Sequence, residues 1–148
     1  MNINIYGSTG IIGKKTLSLI DKNFQNLNVD LLCAKSNLKL LIRQIKKYEP
    51  RFAFLYDHEK LSNFDYKIGK TKFLNLDELK SFLSSSKSNL SLLAISGYKS
   101  LYFLENIIQN TDNLGIVSKE AIVSAGHIFK NENYFNKTNV FPIDSEHF

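Results

Sequence analysis

Asp144 and Glu146 stand two residues apart in Pro142-Ile143-Asp144-Ser145-Glu146-His147-Phe148. In an extended segment residues i and i+2 point to the same side, so both carboxylates would face one point. Two converging hard oxygen ligands suit Mg²⁺ or Mn²⁺. An octahedral ion needs further oxygens and a substrate needs walls. The segment therefore reads as the opening of an active site, with the 148-residue sequence ending where that site begins. These residues alone also allow a polar chain end without a role.

A second constellation lies near the start. Gly7-Ser8-Thr9-Gly10-Ile11-Ile12-Gly13 separates an apolar run from a stretch with helical spacing. Glycines permit a tight turn and let backbone N–H groups approach a pyrophosphate, and the helix N-terminus adds partial positive charge. The Gly-x-x-Gly-x-x-Gly spacing is a variant of the dinucleotide fingerprint; a structural βα turn is the plainer reading. No Gly-Lys-Ser/Thr closes it, so it is not a Walker A loop. The next loop, Ala34-Lys35-Ser36-Asn37-Leu38, carries no acid to accept a ribose 2′-OH. It offers a lysine, a hydroxyl and an amide, which favours NADP over NAD. Ser36 or Asn37 would equally cap the following helix. Lys119, in Ser118-Lys119-Glu120, is placed either to neutralise a phosphate or polarise a carbonyl, or to sit solvated at a helix start. His58, His127 and the lone Cys33 have no evident chemical partner, and Cys33 reads as a small buried hydrophobe.

Alternating elements must position these loops. Strands are predicted at Asn2–Tyr6, Val29–Ala34, Phe52–Tyr56, Lys72–Leu74, Leu90–Ile95, Leu114–Val117 and Thr138–Phe141. Helices are predicted from Ile12 to about Asn23, Leu38 to Tyr48, Asp77 to Leu83, Leu101 to Gln109 and Lys119 to about Ala125. Short helical turns are expected near His58–Leu61 and at Asn131–Phe135, and loops over most of Asp57–Lys72 and at Ser84–Ser88. Leu38, Leu41, Ile42 and Ile45 form one apolar stripe, and Pro50 ends that helix. The alternation requires crossovers. It predicts an α/β fold, a Rossmann-like, doubly wound and mostly parallel sheet with helices on both faces. Ligands of such sheets bind at the carboxyl ends of the strands. That rim would collect the Gly7 loop, Ala34–Asn37, Ser96–Lys99, Ser118–Glu120 and Asp144–Glu146.

Composition narrows the class. Apolar content is 43% and charged content 22%, both ordinary for a globular domain. No apolar run approaches the ~20 residues needed to span a bilayer, and no secretion signal opens the chain. A single cysteine points to a reducing cytoplasm. The formal charge is +5, and seventeen of the nineteen basic residues are lysine. They are spread along the chain without a basic stripe interleaved with aromatics, so neither nucleic acid nor membrane is an expected partner. The excess suits phosphorylated ligands.

Together, Gly7–Gly13, Ser118-Lys119-Glu120-Ala121 and Pro142-Ile143-Asp144-Ser145-Glu146-His147 resemble the N-terminal part of the 1-deoxy-D-xylulose 5-phosphate reductoisomerase family. Tyr48-Glu49-Pro50-Arg51 and Ala94-Ile95-Ser96-Gly97 fit the same pattern, and the resemblance covers essentially the whole chain. It implies NADPH-dependent, metal-dependent rearrangement and reduction of 1-deoxy-D-xylulose 5-phosphate to 2-C-methyl-D-erythritol 4-phosphate in non-mevalonate isoprenoid biosynthesis. Thr9, Gly10, Ile11 and Ile12 would hold the NADPH pyrophosphate, and Lys35, Ser36 and Asn37 the adenosine end. Ser118 and Glu120 would also touch the cofactor. Lys119, Ser145 and Glu146 would meet the phosphorylated sugar substrate. Asp144 and Glu146 would ligate Mg²⁺, Mn²⁺ or Co²⁺.

The chain departs from the family pattern at Ile11 (usually Ser), Lys35 (Gly), Ser118 (Asn), Ala121 (commonly Ser) and Phe148 (Asn). The family also continues with a third acidic ligand, a mobile loop and a helical C-terminal domain, and the complete enzyme is a homodimer by the same resemblance. On this reading residues 1–125 bind NADPH and 126–148 begin a catalytic domain, and the chain is an N-terminal portion with little activity alone. A stand-alone NADP-binding module without catalysis is the competing reading. Another NADP oxidoreductase is a third, although no cysteine suited to a semialdehyde dehydrogenase stands at a central strand end.

Overall fold

Apolar runs a few residues long, each followed by helical spacing, build a single mixed sheet. The computed structural model describes residues 1–61, 66–95, 101–124, 126 and 137–143. Its strands are β1 (Asn2–Tyr6), β2 (Asn28–Ala34), β3 (Phe52–Leu55), β4 (Lys67–Ile68), β5 (Thr71–Phe73), β6 (Ser88–Leu93), β7 (Thr111–Ile116) and β8 (Asn139–Pro142). The helices are α1 (Ile11–Asn23), α2 (Leu38–Tyr48), α3 (Leu76–Ser85), α4 (Leu101–Gln109) and α5 (Lys119–Ser124), with a 3-10 turn at His58–Leu61. The sheet order is β4-β5-β3-β2-β1-β6-β7-β8. Every pairing is parallel except β4 with β5.

The order reverses at β1. Successive strands run outward on one side through β2 and β3, then on the other through β6, β7 and β8. Right-handed crossovers in opposite directions put their helices on opposite faces. Leu17 and Ile20 of α1 and Leu41 and Ile45 of α2 pack with Ile3, Ile5, Leu32 and Ala34 on one face. Leu79, Phe82 and Leu83 of α3, Leu104 and Ile108 of α4, and Ala121 of α5 pack with Leu31, Cys33, Leu93, Leu114 and Ile116 on the other. This is the doubly wound arrangement expected from the sequence.

The differences are local. Ser84 and Ser85 continue α3, and Ser88 already opens β6, where the serine run suggested a loop. Their hydroxyls turn back onto carbonyls four residues earlier, Ser84 to Lys80 and Ser85 to Ser81, which lets serine persist inside a helix. Likewise β7 starts at Thr111, three residues before the first leucine. Thr111 and Ser88 bond through their hydroxyls at 3.1 Å, so polar residues extend both strands. The stretch expected to be loop before residue 72 contains β4, a short antiparallel edge. In α2 the buried stripe contains Gln44 instead of Ile42, which is half-buried. The region 131–135 lies outside the described residues. A register shift between Ile3 and Asn4 leaves Asp30 as the extra residue of β2. Arg51 engages its carboxylate with two donors, Nη2 at 2.6 Å from Oδ2. No helix among the described residues is long and apolar enough to cross a membrane.

Candidate functional site

The chain reversal at β1 opens a crevice at the carboxyl ends of β1, β2, β3 and β6. It holds about 250 Å³ and is lined by Gly7, Thr9, Gly10, Lys35, Tyr56 and Phe103 among others. Tyr6, Cys33 and Phe54 contribute to its interior wall. This is the place where an open α/β sheet takes its ligand.

The glycine loop is fixed by contacts only glycine allows. Gly7 adopts φ +96°, and a Cβ there would stand 2.5 Å from the Ala94 carbonyl oxygen. A Cβ on Gly13 would stand 2.3 Å from the Gly7 carbonyl oxygen and 2.6 Å from Ser8 Cα, so the first turn of α1 lies directly on the loop. Gly10 is different. A Cβ there would meet one atom within 4 Å, the Gly7 carbonyl oxygen at 3.3 Å, a tight contact on one side only. Both Gly7 and Ser8 donate their N–H groups to the Cys33 carbonyl at 2.9 Å, tying the loop to β2.

Ser8 and Gln44 close the loop from behind. The Ser8 hydroxyl donates to Gln44 Oε1 and Gln44 Nε2 donates back to the Ser8 carbonyl, both at 2.8 Å and both buried. Neither residue was singled out from the sequence. A polar residue at a buried helical position was the available signal. Phe54, Tyr56, Leu79 and Phe103 were also missed as lining residues, because they come from β3, the turn after it, α3 and α4, and share no motif.

Thr9, Gly10 and Lys35 line the crevice. Ile11 and Ile12 form the first turn of α1; Ile11 is 71% exposed, whereas Ile12 packs on the core. The start of α1 has no side-chain cap and no acidic residue in its first turn, so its leading N–H groups keep no internal side-chain acceptor. By contrast Asn37 caps α2, accepting from Leu40 N at 3.1 Å, and the Ser118 hydroxyl caps α5, accepting from Ala121 N at 3.1 Å. Both residues therefore serve local structure at the rim where the sequence placed cofactor contacts. Ser36 lies between Lys35 and that cap. Lys119 and Glu120 open α5 on the same rim. Ser96–Lys99, His127 and the segment with Asp144, Ser145 and Glu146 lie outside the described residues. Among those described, no group of three His, Cys, Asp or Glu side chains could hold a metal ion.

Burial pushes the Cys33 thiol well above its ordinary range, so it stays protonated and unreactive. Burial likewise raises the Tyr6 phenol. Its hydroxyl is buried near Asn4 and Ser91 without hydrogen-bond geometry to either. The crevice wall is thus uncharged, and Lys35 supplies the cationic group among the lining residues named.

A doubly wound, mostly parallel sheet with a glycine loop at its reversal point defines the Rossmann-like class. The sequence model for 1-deoxy-D-xylulose 5-phosphate reductoisomerase matches residues 3–126. The chain belongs to that family. The reductoisomerase of Pelagibacter ubique (strain HTCC1062) is 35% identical over 150 residues, which cover 99% of this chain and 39% of that protein. That of Wigglesworthia glossinidia brevipalpis is 31% identical, covering 98% and 38%. The Zymomonas mobilis enzyme, solved in complex with NADPH, superposes with a TM-score of 0.80 at 26% identity, covering 99% of this chain and 39% of its own. A DOX-P reductoisomerase solved with NADPH, fosmidomycin and magnesium gives 0.82 at 22% identity, and supports the fold alone. The chain thus spans less than two-fifths of the length of these relatives.

Proposed function

We propose that this chain binds NADPH as the cofactor portion of a 1-deoxy-D-xylulose 5-phosphate reductoisomerase. The observation that carries the reading is the uncapped start of α1 beside Gly10, facing a crevice whose next loop has no acid. Thr9, Gly10 and the N–H groups of Ile11 and Ile12 receive the pyrophosphate. Lys35, Ser36 and Asn37 receive the adenosine end and its 2′-phosphate. The amide of Asn37 keeps its donor side while its oxygen caps α2. Ser118 and Glu120 meet the cofactor from the rim of β7.

Bound NADPH supplies the hydride for reduction of the rearranged substrate. Lys119, at the same rim, neutralises charge on the phosphorylated sugar, and Ser145 and Glu146 orient it. A divalent Mg²⁺ or Mn²⁺ held by Asp144 and Glu146 polarises substrate oxygens as a Lewis acid. We read the stretch from residue 126 as leading toward the catalytic part of the family, a homodimer in a reducing cytoplasm.

Titration by cofactor fluorescence or calorimetry tests the reading. NADPH should bind more tightly than NADH, and Lys35→Glu should abolish the preference by setting like charge against the 2′-phosphate. Equal affinities, or a preference for NADH, would sink it. For the metal, a chain extended by the portion matching the rest of the relatives should lose turnover on Asp144→Asn or Glu146→Gln while keeping NADPH affinity. Turnover that survives both substitutions would refute the metal assignment.

A further inference from the structure

Three successive carbonyls, at the end of β2 and in the loop after it, are held by the turn that follows β3. Tyr56 N donates to Ala34 O and Asp57 N to Lys35 O, each at 2.9 Å. Lys60 Nζ then reaches back across 24 positions to the Ser36 carbonyl at 3.1 Å. Ser36 O also accepts from Leu38 N at 3.0 Å. Lys60 itself sits on a firm base, since the next residue, Leu61, is buried at 1% exposure in the core beneath α2.

A lysine ammonium has three donors, and one suffices for the Ser36 carbonyl. Asp57 and Glu59 share its turn, yet no carboxylate among the described residues forms an ion pair with Lys60 or with Lys35. A cation anchored at Ser36 and another at Lys35 therefore bracket the position where such a loop meets the 2′-substituent of an adenosine ribose. We propose that Lys60 is a second cation of the adenosine-end subsite, specific for a ribose 2′-phosphate. The proposal rests on the NADPH reading above and assigns its discrimination to a residue outside the loop after β2. A lysine is a mobile point charge that needs no fixed fork geometry, which suits a monoester phosphate at a partly exposed site.

The test compares calorimetric affinities of the full chain for 2′,5′-ADP, 5′-AMP, NADPH and NADH, in wild type and in Lys60→Gln and Lys60→Arg. Lys60→Gln should weaken 2′,5′-ADP and NADPH about tenfold, the scale of one charge-assisted hydrogen bond at a solvated site. It should leave 5′-AMP and NADH unchanged and flatten the salt dependence of NADPH binding. Lys60→Arg should retain most of the preference. Equal losses for all four ligands would make Lys60 a loop strut only and overturn the proposal, as would an unchanged ratio in a wild type that prefers 2′,5′-ADP. A wild type that binds the nucleotides without preferring the 2′-phosphate would overturn the NADPH reading and the Lys60 assignment together. Competition by inorganic phosphate against 2′,5′-ADP and 5′-AMP alike would indicate a general anion site and also overturn it.

Discussion

Helices α1 and α3 both start at the carboxyl rim of the sheet, and they start in opposite ways. α3 is sealed by its own sequence. Asn75 accepts from Glu78 N and Glu78 Oε2 accepts from Asn75 N, both at 2.9 Å, a reciprocal capping box. Asp77 and Glu78 add negative charge to its first turn. α1 has neither a side-chain cap nor a first-turn acid, and Gly10 occupies its cap position. Both helices have the same orphan donors and the same dipole. One satisfies them from within and the other leaves them for a ligand. A helix start becomes a site when the chain withholds its own cap.

The strongest way to break the comparison is to disturb the contact that shapes the open start. Gly13→Ala puts a methyl group against the Gly7 carbonyl and Ser8, and should destabilise the fold by about 3 kcal/mol or more. Thermal or urea unfolding would read this, and an unchanged midpoint would contradict the packing described. Gly10→Asp should instead cost only about 1 kcal/mol, because its Cβ would meet a single tight contact, the Gly7 oxygen at 3.3 Å, and aspartate is a good cap. Closing α1 from within should nevertheless reduce NADPH affinity about 100-fold or more, since a carboxylate replaces the pyrophosphate. Retained affinity would show that the α1 start does not hold the cofactor.

On the sealed side, Asn75→Ala removes half of the box and should cost about 1 kcal/mol of stability with no effect on NADPH. A change in affinity would mean that α3 is coupled to the site. The smallest effect is the pH dependence. Lys72, and after it the Asn75 backbone, hold the Glu78 carboxyl below its usual value of 4.5. A depressed carboxyl stabilises the fold above its unfolded pKa and loses that contribution as pH falls through the folded value. Amide exchange in the first turn of α3 should therefore accelerate below pH 4.5 in this window, while that of α1 should not respond to a carboxylate it lacks. Identical acid responses in the two helices would erase the distinction.

The sheet and its order of elements were legible because apolar runs and helical stripes alternate plainly, and because a buried run such as Val29–Ala34 carries its own label. The glycine loop was legible because a backbone requirement shows as a residue type. Elsewhere polar residues misled. Asn4 falls on the polar phase of an alternating strand, yet it is 3% exposed, because β1 lies at the centre of the sheet and has no solvent face. Gln44 was passed over because its partner, Ser8, lies 36 residues away and only the fold brings them together. Asn37 and Ser118 show the limit differently. The sequence allows Asn37 as a contact or a cap and suggests Ser118 only as a contact, and each caps a helix at the same rim, since one polar oxygen at a strand end serves either task. The crevice wall, with Phe54, Leu79 and Phe103, has no sequence signature, because apolar lining residues look like any other core.

The central position of β1 also sets a timetable for synthesis. Of the strands described, β1 leaves the ribosome first, and Asn28–Ala34 follows soon enough to pair with one of its edges. Its other neighbour is β6, where Ile3 meets Leu90. At about 5–20 residues per second, several seconds pass before that strand has been made. During that interval the strand destined for the middle of the sheet presents an open edge with Ile3 and Ile5 upon it. Such an edge pairs readily with other extended chains. The nascent protein is therefore most vulnerable to wrong association between the synthesis of β2 and that of β6, and chaperones that hold extended apolar segments would act there.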